Sequence, residues 1–184
     1  HRLDPAWIAA EIRAESVFDP NARSSADARG LMQVLPGTGA EVARKLGLAW
    51  AGGNSLFDAD TNITLGSAYL RQLMDKYGGK PYQVIAGYNA GPAPLGRWLS
   101  QRPALDADVW IETISYKETR EYVARVLGFS TVYDWRFNGD ALRVSDRMHG
   151  RSDGPRKTFA CPMPPVTSPV AIPAKPTLKE RRRR

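Results

Sequence analysis

The sequence contains few of the residues that build cross-links and metal sites. Its 184 residues include one cysteine, Cys161, and two histidines, His1 and His149. One cysteine cannot form an intramolecular disulfide, so the fold has to be stabilised by packing. The histidines have no acidic residues at metal-ligand spacing, and the cysteine has no histidine partner. We therefore predict neither a zinc site nor thiol catalysis.

Long apolar runs and strict alternation of apolar and polar residues are also missing. No apolar stretch approaches the roughly 18 residues that cross a bilayer, so no transmembrane segment is expected. We expect no signal peptide within the given residues, which begin with His1 close to the first predicted helix. We expect a fragment or a processed form. Because sustained period-two alternation is lacking, the predicted fold class is mainly α, with little or no sheet.

The net charge of +7 belongs entirely to the C-terminal part of the sequence. Residues 1–137 contain 15 Lys and Arg against 15 Asp and Glu, whereas residues 138–184 contain 11 against 4. Seven of the last 30 residues are proline, and four arginines end the chain. Such a segment cannot bury enough apolar surface to offset its ordering entropy. We predict one folded domain over residues 1–137 and an extended, flexible, Pro-rich basic tail over residues 138–184, whose removal leaves the fold intact.

Apolar residues at helical spacing, bounded by proline, glycine and capping residues, predict a series of helices. The predicted helices cover about residues 5–16, 39–46, 63–77, 81–89, 95–99, 108–114 and 117–133. The expected caps are Asp4 for the first helix, Thr38 for the second and the Asp60-Thr61-Asn62 run for the third. Residues 50–57 are predicted to form a loop, and the Gly91-Pro92-Ala93-Pro94 run is predicted to interrupt the helical pattern.

Glu15 has an unusual position near the end of the first predicted helix. At 100° per residue, Ile8, Ile12 and Glu15 fall within one narrow band, so the carboxyl extends an apolar stripe. Partial burial disfavours the charged form and raises the pKa, as a proton-donating glutamate requires near neutral pH. Asp19-Pro20-Asn21 then ends the helix and leaves the carboxyl open to solvent on one side. From spacing alone, a surface glutamate is the alternative.

Three sequence blocks accompany this glutamate. The first is E-S-x-F-D-P from Glu15, followed after a polar loop by G-L-M-Q-x-x-P-G-T from Gly30. The second is A-G-Y-N-A-G-P from Ala86, and the third combines I-E-T-I from Ile111 with E-T-R-E-Y-V from Glu118. In order and spacing, over about residues 4–135, they resemble the catalytic domain of the soluble lytic transglycosylases. The combination is far more specific than one short motif.

The resemblance implies a lysozyme-like helical domain of the goose type that cleaves the glycan strands of bacterial peptidoglycan. It implies that Glu15 acts as the single catalytic acid and base. Glu15 would protonate the glycosidic oxygen between N-acetylmuramic acid and N-acetylglucosamine while the acetamido group of the sugar attacks the anomeric carbon. It would then take a proton from the muramic C6 hydroxyl, which closes the 1,6-anhydro ring. No metal or organic cofactor is required.

Four further residues are predicted to bind substrate: Ser24, Gln33, Tyr88 and Glu112. By resemblance, Ser24 is the loop serine near the substrate acetamido group, and Glu112 lies at the cleft, where it orients substrate or tunes Glu15. The Gln33 amide can both donate and accept hydrogen bonds. Tyr88 offers a phenol and a ring that stacks on a sugar. Without the resemblance, Ser24 would be interpreted as a solvated loop serine, Tyr88 as a core tyrosine and Glu112 as a surface carboxylate.

Two alternatives to a transglycosylase stay open at this point, a muramidase that uses water and an inactive peptidoglycan-binding module. Reduction of product ends by borohydride separates the two enzymes, and release of muropeptides from sacculi excludes the inactive module. The expected partners are peptidoglycan glycan strands and cell-wall or secretion complexes. The terminal arginines are interpreted as binding anionic envelope surfaces rather than specific nucleic acid. We expect a monomer in the periplasm or cell envelope.

Overall fold

The computed structural model describes residues 1–158, which form a mainly helical domain with one short antiparallel strand pair. The cysteine and the terminal arginines lie outside the described residues. The helices are α1 (Pro5–Ser16), α2 (Pro36–Leu46), α3 (Ala59–Lys76), α4 (Pro81–Ala90), α5 (Pro92–Gln101), α6 (Ala107–Glu112), α7 (Lys117–Asn138) and α8 (Val144–Met148). The strands are β1 (Asp140–Leu142) and β2 (Arg156–Thr158). Residues 53–57, predicted as part of a loop, form a 3₁₀ turn.

Helix α1 begins and ends where the sequence predicts. The Asp4 carboxylate accepts a backbone hydrogen bond from the first turn at 2.9 Å, and Pro5 occupies the first helical position. The helix ends at Ser16 because Val17 adopts a left-handed conformation with φ 54°. The face turned inwards buries Trp7, Ala10 and Ile12.

Three other helices begin at residues that differ from the prediction. Helix α2 begins at Pro36, so Thr38 lies inside it and does not cap it. Helix α3 begins earlier because the Asp58 carboxylate accepts the Thr61 N–H at 2.9 Å. Helix α5 begins at Pro92, so this proline starts a helix instead of interrupting one. Proline suits the first turn, where its fixed φ is helical and its missing N–H has no intrahelical acceptor.

The core lies among α1, α3, α4 and α7. Helices α1 and α7 pack along each other, and α4 lies against both α3 and α7. The largest fully buried side chains are contributed by several elements; they include Trp110, Tyr122, Met32, Leu56, Leu70, Ile85 and Leu95. The same set includes one acidic residue, Glu11, on the α1 face that meets α7. This packing turns the carboxyls of α1 towards α7.

The chain beyond α7 packs against the domain, which differs from the boundary predicted after residue 137. Helix α7 runs past the predicted end at Tyr133 to Asn138, where Gly139 with φ 76° ends it. The following strand buries Ala141 and Leu142 and contacts α7. The packed segment therefore includes residues 139–158 of the predicted tail, and residues 159–184 of that tail lie outside the described residues.

Asp134 explains why this segment is held in place. Its carboxylate is 2% exposed and accepts hydrogen bonds from the Leu142 N–H at 2.9 Å and from Arg156 Nη2 at 2.7 Å. It also forms an ion pair with Arg147, which reaches Asp4 of the α1 cap at 2.7 Å. Burial alone would raise the pKa of Asp134, but these donors lower it well below its usual value. The buried charge is thus compensated by residues from the predicted tail.

Candidate active site

Glu15 and Glu11 form the acidic centre of the molecule on one face of α1. Glu15 is half-buried beside the helix end, whereas Glu11, one turn earlier, is completely buried. The hydroxyl of Tyr122, from α7, lies within hydrogen-bond distance of Oε1 of Glu15 and of Oε2 of Glu11. The indole N–H of Trp7 donates to Oε1 of Glu11 at 2.8 Å. Residues four apart on a helix share a face, so α1 presents both carboxyls to the same tyrosine.

Burial of Glu15 dominates its electrostatics. It raises the pKa of Glu15 to about 7, against the lowering effects of the Tyr122 hydrogen bond and the Arg125 charge. The charge of Glu118 adds to the rise. The direction of the shift and its main cause agree with the sequence prediction. A carboxyl with this pKa populates both its acid and its base forms near neutral pH.

The arginines near Glu15 in sequence are engaged elsewhere. Arg23 and Arg29 both pair with Asp27 inside the loop between α1 and α2, at 2.7 and 3.0 Å. The guanidinium carbon of Arg13 lies 5.9 Å from the centre of an aromatic ring of α7. The cation that lowers the pKa of Glu15 comes instead from α7, more than a hundred residues away in sequence.

The loop between α1 and α2 is fixed by Asn62, a buried residue of α3. Its Nδ2 donates to the carbonyls of Arg29 and Leu56, both at 2.8 Å, and its Oδ1 accepts the Met32 N–H at 2.7 Å. Gly30 has φ +74°, and a Cβ there would lie 2.1 Å from the Leu56 carbonyl oxygen. Only glycine fits that position. The G-L-M-Q block is therefore a rigid support beside the acidic centre.

Gln33 and Ser24 both contribute to this loop. Nε2 of Gln33 donates to the carbonyls of Ala22 and Gly30 at 3.0 and 2.9 Å, so only its Oε1 stays available to a ligand. Ser24 is exposed, and its Oγ accepts the Ala28 N–H at 3.0 Å, which leaves the hydroxyl proton able to reach a ligand. Neither side chain is hydrogen-bonded to the carboxyls of α1. Their contact with substrate stays a prediction.

Tyr88 connects the acidic centre to a groove of about 250 Å³ that Gln33 also lines. The Tyr88 hydroxyl donates to the Met32 carbonyl at 2.7 Å, and its ring lies 5.6 Å from the ring of Tyr69. Burial raises the pKa of Tyr88 well above its usual value, and the two α1 carboxyls raise it further. Tyr88 is therefore a neutral hydroxyl close to these carboxyls, and two tyrosine rings line the groove.

Glu112 does not join this cluster. It ends α6 with its side chain 78% exposed, and it forms a long ion pair of 3.9 Å with Arg120. The acidic residue that raises the pKa of Glu15 from α7 is Glu118. The structure therefore gives no support to tuning of Glu15 by Glu112, whereas a substrate contact of Glu112 stays a prediction.

Sequence reasoning missed the positions of Glu11 and Tyr122 beside Glu15. The side chains of Glu11 and Glu15 point about 40° apart around a helix axis, so an element that packs over one carboxyl also lies close to the other. A buried tyrosine usually finds a partner for its hydroxyl, and that requirement pointed to a polar group inside the core. The two facts together could have paired Tyr122 with α1.

The described residues contain neither a metal-binding cluster nor a membrane-spanning helix. Within residues 1–158, no group of three or more His, Cys, Asp or Glu side chains could hold a metal ion. The helices of that part are too short or too polar to cross a bilayer. A larger cavity of about 450 Å³ lies between the start of α1, α7 and the C-terminal segment. Glu15 lines neither this cavity nor the groove, but Tyr88, whose pKa is raised by the Glu15 charge, lines the groove.

Comparison with known proteins identifies the family. A family model described as the transglycosylase SLT domain matches residues 1–111. Soluble lytic murein transglycosylase from Escherichia coli K12 is 34% identical over 140 residues, which are 75% of this chain and 22% of that protein. The structure of an inactive Glu-to-Gln mutant of lytic transglycosylase Slt from Pseudomonas aeruginosa matches with a TM-score of 0.71 and 43% identity, over 74% of this chain and 22% of that one.

A second solved structure agrees with the first. The 70-kDa soluble lytic transglycosylase from Escherichia coli matches with a TM-score of 0.72 and 31% identity, over 74% of this chain and 22% of that one. The chain thus spans about a fifth of the length of these relatives, whereas the family model covers more than half of the chain. The chain belongs to the transglycosylase SLT domain family.

Proposed function

We propose that this chain is the catalytic domain of a lytic transglycosylase. It cleaves the β-1,4 bond between N-acetylmuramic acid and N-acetylglucosamine in peptidoglycan and leaves 1,6-anhydromuramic ends. The observation that carries the proposal is the half-buried carboxyl of Glu15, whose pKa is raised to about 7. Its neighbour Glu11 is completely buried and cannot touch a glycan. One accessible carboxyl near its pKa suits a reaction that needs an acid and then a base.

In the first step, protonated Glu15 donates its proton to the glycosidic oxygen as the bond from that oxygen to the muramic C1 breaks. The carbonyl oxygen of the muramic acetamido group attacks C1 and forms a cyclic cation, so the substrate supplies its own nucleophile. Glu15 becomes a carboxylate, and the hydrogen bond from Tyr122 stabilises that charge. The N-acetylglucosamine side leaves with a neutral hydroxyl.

In the second step, the Glu15 carboxylate takes the proton of the muramic C6 hydroxyl. The C6 oxygen attacks C1, the bond from C1 to the acetamido oxygen breaks, and the 1,6-anhydro ring closes. Glu15 is protonated again and ready for another turnover. No water is consumed and no cofactor enters the proton balance.

The surroundings of Glu15 favour this route over a hydrolase with two carboxylates. Retaining and inverting glycosidases usually place a second carboxyl against the sugar, as nucleophile or as base. Here the second carboxyl of the cluster, Glu11, is enclosed by Trp7 and Tyr122. The names of the relatives, and the inactive Glu-to-Gln mutant of the Pseudomonas aeruginosa protein, support the same assignment.

The groove beside Tyr88 is the proposed position of the sugar. The ring of Tyr69 or Tyr88 offers a stacking surface, and Oε1 of Gln33 accepts from a hydroxyl or an acetamide N–H. Ser24 is assigned to the acetamido group, with its hydroxyl proton as donor. Because the proposed substrate is peptidoglycan, we place the enzyme in the periplasm or cell envelope. We expect it to act as a monomer.

Digestion of purified sacculi tests the proposed function. We expect mass spectrometry to detect muropeptides that are lighter by one water than hydrolytic products and that resist borohydride reduction. Glu15→Gln protein at the same concentration is the matched control and should release at least about a hundredfold less. Reducible ends would identify a muramidase instead, and a chain that binds sacculi but releases nothing would be a binding module.

The pH dependence of the reaction follows from the raised pKa of Glu15. The acid form is required for the first step, so activity should persist well above the ordinary carboxyl value of 4.5 and fall as the pH rises through about 7. Turnover measured against pH at fixed ionic strength, with a carbon-detected titration of the Glu15 carboxyl, checks this. A carboxyl that titrates at or below its ordinary value would contradict the buried-acid account.

A further inference from the structure

If Glu11 and Glu15 were both ionised, the Glu11–Tyr122–Glu15 cluster would have too few protons for its hydrogen bonds. Tyr122 has one hydroxyl proton, but its oxygen lies within hydrogen-bond distance of a carboxyl oxygen on each side. One proton cannot serve two ionised acceptors at full strength, and an unpaired buried carboxylate oxygen is costly. One of the two carboxyls must therefore carry a proton and donate it to the tyrosine oxygen.

The geometry assigns that proton to Glu11. Its side chain is 0% exposed, whereas Glu15 reaches solvent and has Arg125 nearby. Oε1 of Glu11 accepts the Trp7 indole N–H, which can only donate, so a proton on Glu11 sits on Oε2, facing Tyr122. Burial raises the pKa of Glu11 to about 8, which agrees with a neutral group when Glu15 titrates.

We propose that Glu11 is a positioning residue for Glu15 and acts through Tyr122. As a neutral carboxyl, it donates to the tyrosine oxygen and so directs the tyrosine proton to Oε1 of Glu15. Oε1 is then an acceptor, and the proton that Glu15 transfers is held on Oε2. Because hydrogen bonds in a chain polarise one another, donation by Glu11 strengthens the bond that stabilises the Glu15 carboxylate. The proposal rests on the proposed role of Glu15 as acid and base.

Other ionisable groups face Glu15 from each element packed against it. They are Glu11 on α1, Tyr122, Arg125 and Glu118 on α7, and Tyr88 on α4. The Tyr88 hydroxyl is engaged by a backbone carbonyl, and the α7 charges act on Glu15 by Coulomb interaction. Among the described residues, Glu11 is the one that shares a hydrogen-bond partner with Glu15.

Two substitutions at Glu11 test this role. Glu11→Leu removes the donor, weakens the hydrogen bond from Tyr122, and should raise the pKa of Glu15 by about half a unit to one unit. The alkaline limb of turnover should move upward equally, and turnover at pH values where Glu15 is protonated in both proteins should fall by up to about tenfold, because Glu15 is then a weaker acid. Glu11→Gln restores a neutral donor towards Tyr122 and an acceptor for Trp7, and should recover most of both changes. The readouts are the carbon-detected Glu15 titration and turnover against pH.

An unchanged Glu15 titration in Glu11→Leu would overturn the proposal, because a packing role alone predicts lost stability with the same pH profile. A Glu11→Gln protein as impaired as Glu11→Leu would also overturn it, since Glu11 would then act in its ionised form. If Glu11→Leu does not fold, titration of Glu11 in the unmodified chain shows whether Glu11 is neutral when Glu15 titrates. A midpoint above that of Glu15 supports the proposal, and one at or below it contradicts it.

Failure of this inference can be distinguished from failure of the proposed function. The Glu15 titration is measured on the free protein and needs no substrate. If Glu15→Gln keeps its activity while Glu11→Leu still shifts the Glu15 titration, the catalytic assignment is wrong and the coupling between the carboxyls stands. If Glu15→Gln is inactive while Glu11→Leu leaves the Glu15 titration unchanged, the coupling between the carboxyls is wrong and the catalytic assignment stands.

Discussion

Glu15→Gln is expected to fold normally and to lose about a hundred- to ten-thousand-fold of muropeptide release. The amide has the shape of the carboxyl and still accepts the Tyr122 hydrogen bond, but it can neither give a proton to the glycosidic oxygen nor take one from the C6 hydroxyl. Both proposed steps therefore fail in one substitution. Initial rates of muropeptide release from sacculi, with thermal unfolding of each protein, measure the effect.

The control variants separate this loss from a general effect of removing a negative charge. Glu41→Gln removes an exposed carboxylate on α2 that pairs with Lys45, and it should keep full activity. Glu112→Gln should lower activity only partly, because its side chain is mostly exposed. If Glu15→Gln kept more than a few per cent of the activity, the acid would lie elsewhere, with Glu112 as the next candidate.

A chain that ends at Asn138 is expected to be less stable than a chain that ends at Thr158, by on the order of 4 kcal/mol. The shorter chain loses the buried Leu142 side chain and the arginines that compensate Asp134. It also loses the link from Arg147 to the α1 cap. This expectation reverses the one drawn from the sequence, in which the whole segment after Asn138 was dispensable.

Urea or thermal unfolding of the two truncated chains, each compared with the full chain, tests the boundary. The chain that ends at Thr158 should match the full chain. Asp134→Ala in the full chain provides a second readout, since it leaves the nearly buried Arg147 with one carboxylate partner, Asp4, and should also be destabilising. Equal stability of the two truncations would instead return the domain boundary to residue 138.

Much of the candidate site could be predicted from local patterns. The stripe of Ile8, Ile12 and Glu15 turned the carboxyl inwards, and the Asp19-Pro20-Asn21 run kept it beside a loop. The raised pKa of Glu15 followed from that burial, and the structure agrees in direction and cause. The mainly helical fold followed from the 3.6-residue periodicity and the lack of alternation. These features depend on residues within a few turns of each other, which is why the sequence contained them.

The sequence by itself determined most of the helices and the family, and it predicted Glu15 as the acid; the tertiary structure decided what surrounds the Glu15 carboxyl. Tyr122 meets Glu15 across 107 residues of chain, and the cation that opposes the pKa rise, Arg125, belongs to the same distant helix. Such contacts depend on how α1 and α7 pack, and helical periodicity carries no information about which polar groups then meet. The same reason explains the packing of residues 139–158 on the domain, because Asp134 needs charge partners that only folding brings to it.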